Sequence, residues 1–364
     1  MYEPRVRYLV SSPYGDIAMD NKRWQTPLPH DPNLTYGYYL EAVKEFISRN
    51  NYRPLIDILK VDLKDIDEIL IRTEKHGALY YLASVEVIFR GLSKKFAVNV
   101  ATSKIGKEFL DHEFSVLRQL NNEFDLGYLP TVYLLGEARS MSMFLSEWFE
   151  GYYEFHISRG KNGKQKMVLW DFDHGYRYLS DKQIQEIYRQ ASKILTIYYD
   201  TQRFKQIFPW HHAAGDFVAK IDDKTIDVKL ITARKYEPMI VFLENSGVNP
   251  FVALIYFFLN LSIRMRLDRF DGTGETAWAD DFCVDSTVEG FFDGLKIKEK
   301  MGKYNLGKVN EFILLLKGFS KEELGSMLES LIDEYKDVYK IPLIMQNLEG
   351  HTKRLFSAIQ NLSL

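Results

Sequence analysis

The chain has 364 residues, 46% of them hydrophobic and 14% aromatic, which is enough apolar material for two cores and excludes a disordered tail. A net charge of −3 and a pI near 6.3 give no broad basic face, which excludes a dedicated nucleic-acid binder. The single cysteine, Cys283, excludes an internal disulfide framework and fits a reducing, cytoplasmic compartment.

Met1-Tyr2-Glu3-Pro4-Arg5 has no apolar stretch behind it, so no signal peptide is expected. Residues 1 to 35 carry Pro4, Pro13, Pro27, Pro29 and Pro32 and read as an irregular arm. Leu40, Val43, Phe46 and Ile47 then fall on one helical face over Tyr39 to Ser48, and Pro54 to Leu59 adds a short helix. From Asp67 the pattern changes to strands. Ile69-Leu70-Ile71, Ala78 to Val87 and Phe96 to Ala101 are separated by turn signals at His76-Gly77 and Arg90-Gly91. Glu108 to Asn121 places Phe109, Phe114, Leu117 and Leu120 at helical spacing, and two strands follow, Pro130 to Leu135 and Met143 to Trp148, joined at Ala138-Arg139-Ser140.

Beyond a turn at Lys161-Asn162-Gly163-Lys164, Ser180-Asp181-Lys182-Gln183 fits a capping box that opens a long helix with Ile184, Ile187, Ala191, Ile194 and Leu195 inward. Helices are also predicted over Val252 to Arg266, Lys308 to Leu316 and Lys321 to Tyr339, the last capped by Ser320. The longest apolar run, Phe251 to Ile263, is interrupted by Asn260 and Ser262 and is shorter than the roughly 20 residues of a bilayer span. A buried helix is expected there, and no membrane partner.

The order strand, strand, strand, helix, strand, strand over 67–150, followed by a helical region, resembles the protein-kinase-like superfamily, and within it the aminoglycoside/choline-kinase branch. The similarity covers roughly residues 67–270 and rests on short motifs in the right order. Phe96-Ala97-Val98-Asn99-Val100 sits where the family has a strand of the form Ala-Val-Lys, and Glu113 matches the glutamate that pairs with that lysine. Leu145-Ser146-Glu147-Trp148-Phe149-Glu150-Gly151 is similar to the segment joining the lobes, where backbone groups hold adenine. Trp210-His211-His212-Ala213-Ala214-Gly215-Asp216-Phe217 resembles the His-Gly-Asp catalytic loop, and Ile226 to Ile231 the strand that leads to a metal-binding aspartate.

The resemblance implies an α+β, two-lobed fold: a small five-stranded antiparallel β lobe at 67–150, a larger helical lobe at 151–364, and an extra N-terminal segment at 1–66. It implies ATP with magnesium as cofactor and Asp216 as the base that accepts a substrate hydroxyl proton. Asn99, Glu113, Glu147, Lys220, Thr232 and Arg234 would line the nucleotide site between the lobes. The departures from the family pattern remove most of the machinery. Asn99 replaces the lysine, no Gly-rich loop precedes Ala97 beyond Gly77, and Phe217-Val218-Ala219-Lys220-Ile221 lacks the asparagine ligand. Thr232-Ala233-Arg234 stands where the metal aspartate belongs. Magnesium takes hard oxygen ligands, one or two of them carboxylates, and the expected positions supply none, so no metal ligand is assigned.

Several residues carry two readings each. Asp216 is either a base or a turn residue that fixes its loop. His211 and His212 either brace that loop or belong to a site. Lys220 and Arg234 could clamp an anion in place of magnesium, while Lys220 and Lys229 also suit a solvated hairpin around Asp222-Asp223-Lys224. Trp170-Asp171-Phe172-Asp173-His174-Gly175 reads as a loop before the capped helix. Asp268 to Glu275 reads as a helix C-terminal turn using Gly272 and Gly274, Asp280-Asp281 as a polar turn, and Arg264, Arg266 and Arg269 as a polar face.

Phosphoryl transfer is mostly positioning and charge neutralisation, so lost cations and metal ligands remove its main terms. The favoured expectation is a pseudokinase-like protein that binds a small molecule, nucleotide or protein partner. The alternatives are an atypical phosphotransferase on a small hydroxylated substrate with Asp216 as base, and a generic α+β interaction protein.

Overall fold

The computed structural model describes residues 2–363 apart from 13–14, 30, 77–79, 161–162, 172–174, 223–224, 240–246 and 334–338. The chain is α+β and divides into two compact units, Met1–Glu150 and Gly151–Leu364.

The first unit is built on a seven-stranded sheet. Its N-terminal elements are β1 (Arg5–Val10), β2 (Ile17–Ala18), α1 (Asn21–Trp24), β3 (Pro27–Leu28), β4 (Asp31–Thr35), α2 (Tyr36–Ile47) and α3 (Arg49–Leu59). Then come β5 (Ile66–His76), β6 (Tyr81–Phe89), β7 (Leu92–Ala101), α4 (Lys104–Phe124), β8 (Val132–Ala138) and β9 (Met141–Glu147). The strand order is β2-β1-β5-β6-β7-β9-β8. The expected five antiparallel strands are present as β5-β6-β7-β9-β8, but β1 lies parallel to β5, with Tyr8 opposite Ile71, so the sheet is seven-stranded and mixed.

That corrects the reading of residues 1–35 as an irregular arm. Pro4 precedes β1 without interrupting its ladder, a position at which proline costs no sheet hydrogen bond, and Pro13 lies outside the described residues. One face of the sheet, with Ile69, Ile71, Val85, Val87, Phe96, Val98 and Val100, packs on Leu40, Val43 and Phe46 of α2 and Leu55 of α3. Strand alternation sends Ala97 and Asn99 to the opposite face, where α4 packs on β7, β8 and β9 and Phe114 meets Phe144. α4 opens on Ser103, whose hydroxyl accepts from the Gly106 N–H. Arg139 and Ser140 both take positive φ in the tight β8–β9 turn.

The second unit runs β10 (Tyr153–Arg159), β11 (Gln165–Leu169), β12 (Arg177–Tyr178), α5 (Asp181–Tyr198), β13 (Lys205–Ile207), β14 (Phe217–Ile221), β15 (Ile226–Leu230), β16 (Tyr236–Pro238) and α6 (Pro250–Arg264). It ends with β17 (Leu267–Arg269), β18 (Thr276–Trp278), α7 (Phe282–Lys300), α8 (Val309–Lys317), α9 (Lys321–Asp333) and α10 (Ile341–Gln360). The second region, expected to be mostly helical with a strand at Ile226 to Ile231, also carries a five-stranded antiparallel sheet, β12-β11-β10-β14-β15. Its strand β10 escapes a pattern search because Phe155 to Ser158 are consecutively buried, with no period-two alternation. Asp268 to Glu275 is likewise the β17–β18 hairpin, not a helix end; Gly272 has positive φ, whereas Gly274 does not.

Helix starts follow their predicted caps. Ser180 accepts from the Gln183 N–H at 3.4 Å while Gln183 Oε1 accepts from the Ser180 N–H at 2.9 Å. Ser320 and Glu323 make the same reciprocal pair ahead of α9; the predicted continuation from 334 to 338 lies outside the described residues. Among the described residues no helix is long and apolar enough to cross a membrane.

α5 and α7 pack more closely than ordinary side chains permit because Gly290 and Gly294 face α5. A Cβ at Gly290 would collide with the Arg189 carbonyl oxygen, and one at Gly294 would stand 2.7 Å from Thr196 Cβ. Alanine favours an isolated helix over glycine by about 1 kcal/mol. Here the backbone of α5 cannot yield, so Gly290→Ala is expected to destabilise the protein by about 1–3 kcal/mol. Urea unfolding measures this, and a stabilised variant would contradict the close approach.

Candidate functional site

In the first unit Asn99 lies on the α4 face of the sheet and Glu113 on α4 itself, whereas Glu147, paired with Phe96, belongs to the α2 face. Asn99 is half-buried on β7, opposite Leu82 of β6 and Phe144 of β9. Glu113 is buried on α4, and its carboxylate accepts a hydrogen bond from the Tyr80 hydroxyl, a neutral donor. Glu147 closes β9. Its carboxylate accepts from the Thr131 N–H at 3.3 Å, and its own N–H donates to Thr131 O at 2.8 Å, so it braces the β8 edge.

The α4 face also carries a polar ladder that motif reading passed over. Arg72 pairs with Asp16 at 2.6 Å and with Glu86 at 2.8 Å. Lys95 pairs with Glu74 at 3.2 Å and lies 3.9 Å above the Trp148 ring. The signal for these residues was the alternation of Ile69, Ile71 and Thr73 with Leu70, Arg72 and Glu74, which places the charged side chains on one face.

In the second unit, Asp216 sits between two antiparallel ladders. β13 pairs with β16 and β14 with β15, so segments 208–216 and 231–235 run opposite each other between them. The Asp216 backbone carbonyl accepts from the Ile231 N–H at 2.8 Å. Its buried carboxylate takes Arg234 in a bidentate pair, Nη2 to Oδ1 at 2.7 Å and Nη1 to Oδ2 at 2.8 Å, and also accepts from the His211 N–H at 2.9 Å. Arg234 Nη1 further donates to the Pro209 carbonyl at 3.2 Å. Two residues 18 apart in sequence are thus joined by charge-assisted hydrogen bonds.

Thr232 is buried just past β15. Lys220 is exposed on β14, opposite Asp227, with its aliphatic stem against Gly151. Asp227 itself takes Lys229 at 3.1 Å and the Tyr152 hydroxyl at 2.5 Å. Of the predicted residues in this unit, Asp216 and Arg234 are brought together. The hairpin tip at 223–224 lies outside the described residues, as do 172–174 of the Trp170 to Gly175 loop. Among the described residues no three His, Cys, Asp or Glu side chains are gathered closely enough to hold a metal ion.

His212 is 2% exposed and packs among Phe155, Tyr188, Trp210 and Phe217, with both ring nitrogens lacking a hydrogen-bond partner. Burial lowers its pKa, so the ring is a neutral packing element of the loop.

A buried acid–histidine group adjoins the same loop and escaped the sequence reading. His156 lies 3.5 Å from Glu154 and 3.8 Å from Asp268 and packs on Trp170 at 4.4 Å. Burial opposes its protonation, but hydrogen bonds and charge from Asp268 and Glu154 raise its pKa overall. The Glu154 carboxylate lies against Gly215, where a Cβ would otherwise stand, and so couples β10 to the Asp216 loop. Glu154 and His156 are two apart on one strand, which was the available signal.

No protein-family model matches the chain, and no curated protein matches it.

Two measurements probe the loop. Arg234→Ala leaves a buried carboxylate without its cation and is expected to cost about 3–5 kcal/mol, with Arg234→Lys recovering only part because lysine lacks the planar fork. A loss near zero in denaturant unfolding would contradict the pairing. His211 is pushed down to about 4 by burial, with Lys340, Arg264 and Arg234 adding to the effect against Asp216. An unfolded histidine takes up its proton near 6.5, so its contribution is intact above about 6.5 and is lost as pH falls toward about 4. The pH profile of unfolding should flatten over that window in His211→Gln relative to wild type.

Proposed function

We propose that this is a kinase-like fold in which internal pairings have replaced the nucleotide-processing groups, and that it acts as a non-catalytic, pseudokinase-like protein that binds a ligand or partner. The order β5, β6, β7, α4, β8, β9 and the ladder β5-β6-β7-β9-β8 support the fold assignment. So do the placement of Asn99 on the α4 face of β7 and of Asp216 immediately before the β14–β15 hairpin.

One observation carries the functional reading: both oxygens of the Asp216 carboxylate are held by the Arg234 guanidinium. A general base needs a lone pair aimed at the substrate proton and within hydrogen-bond reach. Asp216 aims its oxygens at a fixed cation and a backbone N–H instead. Arg234 also stands just past the place of the absent metal aspartate, and a guanidinium there repels magnesium and attracts anions. In the first unit, Glu113 is engaged by a tyrosine hydroxyl, and Asn99 brings no charge to a phosphate. The buried Cys283 thiol, pushed up to about 12 by burial, offers no nucleophile and is compatible with cytoplasmic residence.

The test is turnover and thermal shift of the full chain with ATP, with and without magnesium. Expected are no ATP hydrolysis or transfer above a no-protein control, and no magnesium-dependent rise in melting temperature for any nucleotide. A bound ligand at one hundred times its dissociation constant stabilises by about 2.7 kcal/mol, well within detection. Magnesium-dependent turnover that disappears in Asp216→Asn would overturn the proposal in favour of a phosphotransferase that opens the Asp216–Arg234 pair on binding substrate.

A further inference from the structure

The buried acid–histidine group of the C-terminal unit joins β10 to the β17–β18 hairpin. His156 and Glu154 come from β10, Asp268 comes from β17, and the turn Phe270–Gly272 lies over the imidazole. A Cβ on Gly272 would stand 3.1 Å from both Cε1 and Nε2 of the ring, and Trp170 closes another side. His156 is 1% exposed. Further polar ties between the hairpin and β10 and β11 are the exposed Arg159–Glu275 pair at 2.9 Å and a bond from Gln165 Nε2 to the Trp278 carbonyl at 2.7 Å.

Hydrogen-bond accounting fixes the charge state of this ring. Asp268 is buried, and backbone N–H groups hold both of its oxygens, Ile157 donating to Oδ2 at 3.1 Å and Arg269 to Oδ1 at 2.7 Å. A carboxylate that accepts backbone N–H bonds is kept ionised. His156 Nδ1 faces Asp268 Oδ1 at 3.8 Å, and Nε2 faces Glu154 Oε2 at 3.5 Å. A neutral imidazole has one N–H and one lone pair, so one nitrogen would turn a lone pair toward a carboxylate. Only the imidazolium presents a proton to both acids.

The remaining charged and titratable neighbours leave that task to His156. In the 208–216 loop, burial keeps His212 neutral, and Asp216 is taken by Arg234. Arg266, just before β17, is committed to Asp281 and the Ala279 carbonyl. The Tyr188 hydroxyl of α5 is held neutral by burial. Asp171, which follows Trp170, is a further buried acid, and Asp271 of the turn is exposed.

We propose that His156 is a proton-operated clasp: its imidazolium pins the β17–β18 hairpin to β10, and loss of the proton loosens the hairpin. Glu154 extends the effect to the Asp216 loop, because its carboxylate fills the space over Gly215. Released histidine titrates near 6.5, and the docked ring is raised above that by its two acids against the effect of burial. Docking is therefore at full strength below about 6.5 and weakens as pH rises through the docked value. The clasp does not depend on the kinase-like reading, since it involves neither Asn99 nor a nucleotide.

The experiment is histidine-ring NMR and amide hydrogen exchange on the full chain, from about pH 5.5 to about pH 9. Burial depresses His211, His212 and His351, so they stay below this window. Expected is a His156 midpoint above about 6.5. Across it, protection of the Ile157 amide and of amides 267–278 should fall about tenfold for each unit by which the midpoint is raised. Protection factors divide out the intrinsic pH dependence of exchange. His156→Gln carries no charge and should give the low protection at every pH. Glu154→Gln removes one of the two acids and should lower the His156 midpoint by about one unit, which decides the matter where His156→Gln does not fold. A wild-type midpoint at or below about 6.5 overturns the proposal. So does hairpin protection that stays constant through the midpoint, or a midpoint that Glu154→Gln leaves in place.

Discussion

The bidentate contact between Arg234 and Asp216 organises the stretch from β13 to β16. On one side of it two short strands pair, on the other a hairpin of two five-residue strands, and between them the chain must pass twice without a ladder to satisfy its backbone. The carboxylate does that work. It takes the His211 N–H and both guanidinium nitrogens, and the guanidinium in turn reaches the Pro209 carbonyl. A buried, singly charged acceptor with three donors is costly to desolvate but very costly to leave half-paired, so the loop has one stable arrangement.

The same logic recurs through both units. Glu113 meets Tyr80, Arg72 is shared by Asp16 and Glu86, Lys95 is shared by Glu74 and the Trp148 ring, and His156 lies between Glu154 and Asp268. Groups that could bind phosphate or metal are spent on neighbours in the same unit.

What the sequence made legible follows from how local each signal is. The capping boxes at Ser180 and Ser320 depend on residues three apart, and the starts of α5 and α9 were read correctly. The core-facing set of α2, with Leu40, Val43, Phe46 and Ile47, came from a 3.6-residue period that the structure keeps. The hairpin at Arg139-Ser140 was visible as a polar break between apolar runs. Strands β10 and β11 were not, because β10 is covered on both faces and lacks alternation. β1 was hidden by the prolines around it, and the closeness of α5 and α7 by the fact that a glycine's missing Cβ matters only when the opposing helix is known. At the site, the sequence placed Asp216 and Arg234 in separate motifs. It could not reveal that they touch, since a contact across 18 residues is set by the register of two ladders, not by spacing.

That contact also accounts for an aspartate at this point of the loop. A carboxylate poised for proton transfer aims an oxygen at open space, within hydrogen-bond reach of a substrate proton. Asp216 is instead the acceptor at the centre of a closed network, and asparagine in its place would lose the charge that makes the guanidinium pair strong, along with one of the two acceptor oxygens. The presence of the carboxylate therefore needs no catalytic explanation. Arg234 is the cation that holds it, so this one pair both neutralises a buried charge and secures the loop between the two ladders.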